Sequence, residues 1–197
     1  FLALLLLLRF CHHGHLFSGT AQMAAVMRGQ LFGDSRLDDI DVTTRSEHLR
    51  VTASGSISSL GDFFKGSEQG SAVSPTRLKV LAETEKLGDL VRLYEGNVPF
   101  KASAEAQGVL TGSLGDFRID DVVINASGEH GKLSATGYMD DLLNPQGWSI
   151  DFRAKSSTDQ LRQFVKSYWP LDWPLEGKGV AIGRISGARR NVHVSDI

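Results

Sequence analysis

Apolar and polar residues alternate over most of this chain, the two-residue period of strands with one dry and one wet face. Leu49, Val51, Ala53, Gly55 and Ile57 form one apolar set. Phe100, Ala102, Ala104 and Ala106 form a second, and Val122, Ile124 and Ala126 a third. Leu133, Ala135, Gly137 and Met139 follow, then Trp148, Ile150, Phe152 and Ala154. The intervening positions carry Arg50, Thr52, Ser54, Lys101, Ser103, Glu105, Lys132, Ser134, Thr136, Asp151 and Arg153. Shorter runs at Leu78, Val80 and Ala82, and near Leu16, predict further strands. Two segments change period. Leu87, Leu90, Val91 and Tyr94, like Leu161, Phe164, Val165 and Tyr168, fall on one helical face. They predict short amphipathic helices over 84–95 and 158–168, ended by Pro99 and by Pro170 and Pro174.

The pattern repeats. RLDDIDVTTRSEHLRVTASGSISSL (36–60) aligns without a gap on RIDDVVINASGEHGKLSATGYMDDL (118–142). Arg36/Arg118, Asp38/Asp120, Asp39/Asp121, Glu47/Glu129, His48/His130, Ala53/Ala135, Gly55/Gly137 and Leu60/Leu142 are shared. A third copy opens at Trp173-Pro174-Leu175, which resembles Val98-Pro99-Phe100. There Gly112 pairs with Gly187, Ile119 with Val194, Asp121 with Asp196 and Val122 with Ile197. The repeat is four strands and a short helix. It divides the chain into 1–15, an apolar N-terminus outside the pattern; 16–95, the first repeat; 96–169, the second; and 170–197, the start of a third. The Gly- and Ser-rich stretch 61–75 is longer than its counterpart near Leu143–Gly147 and predicts a surface loop insertion. A fixed period of this length marks an array, which makes long surfaces rather than compact catalytic pockets.

The expected fold class is therefore mainly β with short helices: repeated antiparallel strands in a curved, twisted sheet, with one short amphipathic helix per repeat. Many dry-face positions are Ala or Gly, where a tightly interlocked core uses larger residues. The sheet is expected to curl, its apolar face either packed on itself or filled by an apolar ligand.

Composition narrows the options. The net charge is −2 with both signs interspersed, which argues against nucleic acid as a partner. The single cysteine, Cys11, allows no internal disulfide and no multi-cysteine zinc cluster. The run FLALLLLLRF is too short to span a bilayer. It is either the remnant of a signal or membrane segment or an artefact of truncation or reading frame, and the absent start together with the unfinished last repeat predicts a fragment of a longer protein.

Candidate chemistry is sparse. Cys11-His12-His13-Gly14-His15 holds good metal ligands, but their spacing fits no ordinary structural zinc site. Glu47-His48 and Glu129-His130 recur at one place in the repeat, where a polar hairpin turn is expected. Asp38-Asp39 and Asp120-Asp121 are adjacent on strands, so their side chains do not converge, and a turn or bulge is expected. Tyr168, Trp169 and Trp173 form either an interfacial anchor or, more simply, a packed helix–strand corner. No phosphate-binding loop and no nucleophile–base arrangement stands out, so no enzyme, metal or cofactor is predicted.

The phrase Arg36-Leu37-Asp38-Asp39-Ile40-Asp41-Val42, repeated as Arg118-Ile119-Asp120-Asp121-Val122-Val123-Ile124, is followed by Leu133-Ser134-Ala135-Thr136-Gly137 and by Asp159-Gln160-Leu161-Arg162-Gln163-Phe164. This succession resembles the AsmA-like proteins of Gram-negative bacteria, including the TamB and YhdP types, over roughly 16–197. The resemblance implies a U-shaped β-groove with an apolar interior, in a periplasmic protein anchored in the inner membrane. It further implies phospholipid acyl chains as the bound partner, contact with inner and outer membranes through other parts of the parent protein, and a role in outer-membrane lipid transport and assembly. The groove lining would be Val51, Ala53, Ile57, Val80, Phe100, Ala102, Ala104, Ala106, Val122, Ile124, Leu133, Ala135, Met139, Ile150 and Phe152. The alternative expectation is a structural β-repeat spacer or adhesin-like surface module with a self-filled core and no ligand.

Overall fold

The computed structural model describes residues 19–30, 35–65, 74–88, 102–141, 148–168, 174, 176–188 and 191–197. Ten strands form one antiparallel sheet whose spatial order is the chain order. They are β1 (Gly19–Arg28), β2 (Arg36–Ser46), β3 (Arg50–Ile57), β4 (Thr76–Thr84), β5 (Ala102–Ser113), β6 (Asp116–Gly128), β7 (Gly131–Asp140), β8 (Ser149–Thr158), β9 (Gly179–Ala188) and β10 (Asn191–Ser195). The described residues also hold two short helices, α1 (Leu60–Lys65) and α2 (Leu161–Tyr168).

The repeat is visible in the backbone. Asp39, Asp121 and Asp196 all take left-handed conformations, with φ of 50°, 51° and 53°. At the first two, the register slips by one residue. Asp38 and Asp39 together lie between the pairs Leu37↔Ile57 and Ile40↔Gly55. Asp120 and Asp121 lie between Ile119↔Met139 and Val122↔Gly137. Each is a β-bulge, two residues opposite one. Aspartate tolerates the left-handed region better than most residues. The bulge reverses the parity of the strand, so Leu37 and Ile40, three apart, face the same side. It is the turn-or-bulge expected of these pairs.

Close backbone approach fixes an equivalent glycine in each of the two repeats. A Cβ on Gly55 would lie 2.1 Å from the Arg77 carbonyl oxygen, and one on Gly137 would lie 1.9 Å from that of Asp151. No side chain fits at either distance.

The registers carry one apolar face across the whole sheet. A single row runs Val51↔Ala82↔Ala106↔Ile124↔Ala135↔Ala154↔Gly183. Its burial is concentrated in two clusters. Ile40, Val42, Ile57, Phe63, Leu78 and Phe117 form the first. Val122, Ala135, Phe152 and Ala154 form the second. The first joins the first repeat to Phe117 of the second, and the second lies within the second repeat.

One expectation is corrected here. The stretch 61–75 is not wholly a surface insertion: it begins with α1, whose Phe63 is completely buried. Ser59 caps the helix, its Oγ accepting the Asp62 N–H at 3.1 Å. Phe63 packs 5.9 Å from the Phe117 ring, between centroids. The helix is pinned at both ends, the Leu60 N–H donating to the Ser35 carbonyl and the Leu114 N–H to that of Phe63, both at 2.8 Å. Glycine and serine content signalled a loop, but Phe63 supplied enough buried apolar area to dock a short helix. Of the helices expected, α2 forms within 158–168. For 84–95, Leu87 and Gly88 are helical and the rest lies outside the described residues.

Candidate functional site

The site residues expected from sequence converge on one face. The registers place Val51, Ala53, Ile57, Val80, Ala102, Ala104, Ala106, Val122, Ile124, Leu133, Ala135, Met139, Ile150 and Phe152 on the apolar side of the sheet. Phe100 lies outside the described residues. Their accessibility is uneven. Ile57, Ala102, Val122, Ala135 and Phe152 are buried. Val51, Ala53, Val80, Ala104, Ala106, Ile124, Met139 and Ile150 are partly buried. Leu133 is 39% exposed. The most exposed of these site residues is Leu133, in the row Ala104↔Ala126↔Leu133 toward the hairpin-turn end. Small side chains there leave apolar surface within reach of solvent or a ligand.

The opposite face is polar and paired. Asp38, next to Leu37 and so on this side, takes Arg36 at 3.0 Å and Arg28 at 3.2 Å. Its repeat mate Asp120 accepts from Arg118 and, at 3.2 Å, from the Thr111 hydroxyl. Arg118 also reaches Asp140 at 3.5 Å and stacks 4.1 Å from the centre of the Tyr138 ring. The hydrogen bond to Asp120 is the main reason that the Arg118 pKa is raised. Across β8 and β9, Arg184 grips both oxygens of Asp151, at 2.8 and 2.5 Å. That pairing holds the Asp151 carboxyl below its ordinary range and raises Arg184. Each of these carboxylates already has a cationic partner.

A recess of about 930 Å³ opens at the hairpin-turn end, lined by polar-face side chains together with Ala104, Ala126 and Leu133 of the apolar row. Its rim includes Arg50, Glu83, Glu105, Asn125, Lys132 and Lys155. Acidic and basic side chains both line it, and two pairs are joined: Arg50–Glu83 at 3.7 Å and Lys86–Glu47 at 3.3 Å. The recess was not foreseen from sequence. Its lining comes from seven successive strands, β2 to β8, and no local motif marks such a gathering.

The repeated Glu-His pairs occupy hairpin turns, as expected. In each, a threonine at the end of the fourth strand holds the turn. The Thr84 hydroxyl donates to the His48 carbonyl at 2.6 Å and accepts the Lys86 N–H at 3.0 Å. Thr158 does the same with the His130 carbonyl and, at 2.9 Å, the Gln160 N–H. The motif ties a turn to the chain that leaves the sheet. His130 Nδ1 lies 3.3 Å from Gln160 Oε1, with no nucleophile beside it.

Among the described residues, no group of three or more histidine, cysteine or acidic side chains is placed to hold a metal, and no helix is long and apolar enough to cross a membrane. Cys11–His15, Trp169 and Trp173 lie outside the described residues, as does the Tyr168 side chain. Comparison with protein-family models, curated proteins and solved structures finds no match to this chain.

Proposed function

We propose that the chain is a segment of an AsmA-like protein that binds or conducts phospholipid acyl chains along its apolar face, within a periplasmic protein anchored to the inner membrane. The observation that carries this reading is the continuity of that face: it crosses all ten strands without a polar row. Nine inter-strand spacings give a strip of about 43 Å, longer than one acyl chain, which suits passage better than a single closed pocket. Alanines and glycines in its central row give the space that a sheet curling toward this face needs. Acyl chains would lie along the row, gaining about 0.8 kcal/mol per buried methylene, while the headgroup stays in water at the open side. No bond is made or broken.

The test is mass spectrometry of organic extracts from the purified protein, with and without Ala104→Glu and Leu133→Glu. Both sites are accessible enough for the variants to fold. Co-purifying phospholipid that both substitutions abolish, in proteins with unchanged circular dichroism, supports the reading. A folded wild-type chain that carries none and takes up none when it is added refutes it.

A second reading, the structural spacer with a self-filled core, is favoured by α1. Phe63 already fills the apolar face of the first repeat. Ala135→Leu separates the two. Ala135 sits against Val122, Phe152 and Ala154. In a filled core the added carbons destabilise by about 1–3 kcal/mol. In an open groove the protein keeps its stability and loses lipid uptake.

A further inference from the structure

We infer that Lys132, Ser134, Lys155 and Ser157 form a binding site for a phosphate group, and that its source is the headgroup of a phospholipid. The four side chains make a square on the polar face. The register of β7 against β8 sets Lys132 opposite Ser157 and Ser134 opposite Lys155. The two ammonium groups therefore stand on one diagonal and the two hydroxyls on the other. Diagonal neighbours on a sheet lie about 7–8 Å apart, within the span of two long side chains converging on one ligand. All four residues line the recess at the hairpin-turn end. The square is interior to the sheet, flanked by β6 and β9. Both lysines are exposed, and among the described residues neither ammonium has an ion-pair or hydrogen-bond partner.

The first repeat supplies the contrast. Its equivalent square sets Arg50 opposite Glu83 and Thr52 opposite Leu81. There the single base is matched within the sheet, Arg50 to Glu83 at 3.7 Å. In the second repeat a serine stands in place of the glutamate and a second lysine in place of the leucine. A neutral square has become one with two positive charges and no acid. Nearby carboxylates do not make up the difference. Asp159, two residues beyond Ser157, is joined to Lys178 at 3.3 Å. Glu47 is held by Lys86. Glu85 follows β4 and Glu105 lies on β5, two or more strands from β7. Glu129, in the β6–β7 turn, is exposed and does not line the recess. Arg153, two residues before Lys155 on the same face, adds to the positive charge.

A phosphate answers this arrangement, because its oxygens accept from two ammonium groups and two hydroxyls at once. The lipid source follows from the other lining of the same recess: Ala104, Ala126 and Leu133 belong to the apolar row. A headgroup on the square stays in contact with water while its acyl chains reach that row. The lipid source rests on the function proposed above; the phosphate site does not.

The test follows backbone amide shifts of the full chain by NMR during titration with dihexanoyl phosphatidylglycerol, glycerol 3-phosphate and dihexanoylglycerol. Each titration is repeated on Lys132→Gln/Lys155→Gln and on a control, Arg77→Gln/Lys79→Gln, which removes the same charge from the polar face outside the recess. All four positions are exposed, so both variants should fold. The expected result is that phosphatidylglycerol shifts the amides of 132–134 and 155–157. Its affinity should fall about fivefold or more in the lysine variant, the scale of two exposed charge contacts, and under about twofold in the control, where the charges are screened from the site. Dihexanoylglycerol should bind all three proteins alike. Equal loss in both variants would overturn the site in favour of general charge attraction. Unchanged phosphatidylglycerol binding in both would overturn it too, while leaving lipid binding by the apolar face intact. Glycerol 3-phosphate bound at the square with neither lipid bound would overturn the lipid source, and the proposed function with it, and uphold the phosphate site.

Discussion

Replacing Phe63 with alanine removes the one fully buried ring of α1, and the structure sets what that costs. Taking a completely buried phenylalanine side chain back to water forfeits about 1.5–3 kcal/mol. The helix is pinned to Ser35 and Leu114 by backbone bonds, so it cannot collapse fully onto the sheet. A residual void of about 50 Å³ adds about 1.2 kcal/mol. Losing the ring contact with Phe117 adds about 0.5–1.5 kcal/mol. The total is about 3–6 kcal/mol, at the upper end of the range for buried Phe→Ala changes. Phe64 is the control. It packs edge-on to Phe63 at 5.4 Å but is 52% exposed, so Phe64→Ala should cost under about 1 kcal/mol. Urea denaturation gives the two values. Amide exchange locates the damage: in an array each unit leans on its neighbours, so protection should fall in β2–β6 and persist in β8. A Phe63→Ala variant no less stable than Phe64→Ala would refute the docking of α1 and restore 61–75 to a surface loop.

Three further outcomes are expected. Gly137→Ala forces a Cβ onto the Asp151 carbonyl oxygen and should lower the urea midpoint by an amount worth about 2–4 kcal/mol; a neutral result would mean that β7 and β8 are not held at this distance. Asp121→Gly should be neutral or stabilise by up to about 1 kcal/mol, while Asp121→Val should destabilise, because only the first eases the left-handed backbone; thermal melts showing the reverse order would deny the bulge. Finally, the lowered Asp151 pKa makes the pair with Arg184 pH-dependent. Its contribution is present above the ordinary value of 3.8 and is lost as pH falls through the lowered native value. The stability gap between wild type and Asp151→Asn should therefore be open at neutral pH and close as pH falls below 3.8 through the lowered native value, and a gap that stays constant through that acid range would show that the pair does not form.

Much of this architecture was legible because strands announce themselves locally. The two-residue period and the 36–60/118–142 match gave mainly antiparallel β structure and the four-strand unit, and the apolar sets named from sequence share one face. The doubled aspartates were legible as a break in the pattern, since Leu37 and Ile40, or Ile119 and Val122, are an odd number apart yet both apolar. Their conformation was not, because the residue types alone do not say which aspartate of each pair turns left-handed. The charged pairings also escaped. Arg184 and Asp151 are 33 positions apart, and only the register of β8 against β9 brings them together.

What the sequence by itself determined is the period, the strand content and the existence of one apolar face, because each follows from side-chain alternation and its recurrence along the chain. What only the tertiary structure decided is how that face is occupied. Phe63 and Phe64 are neighbours of identical chemistry, and no local rule says which is buried. One is completely hidden and the other half-exposed because a single helical turn, held between Ser35 and Leu114, can present only one of them to Phe117 and the sheet.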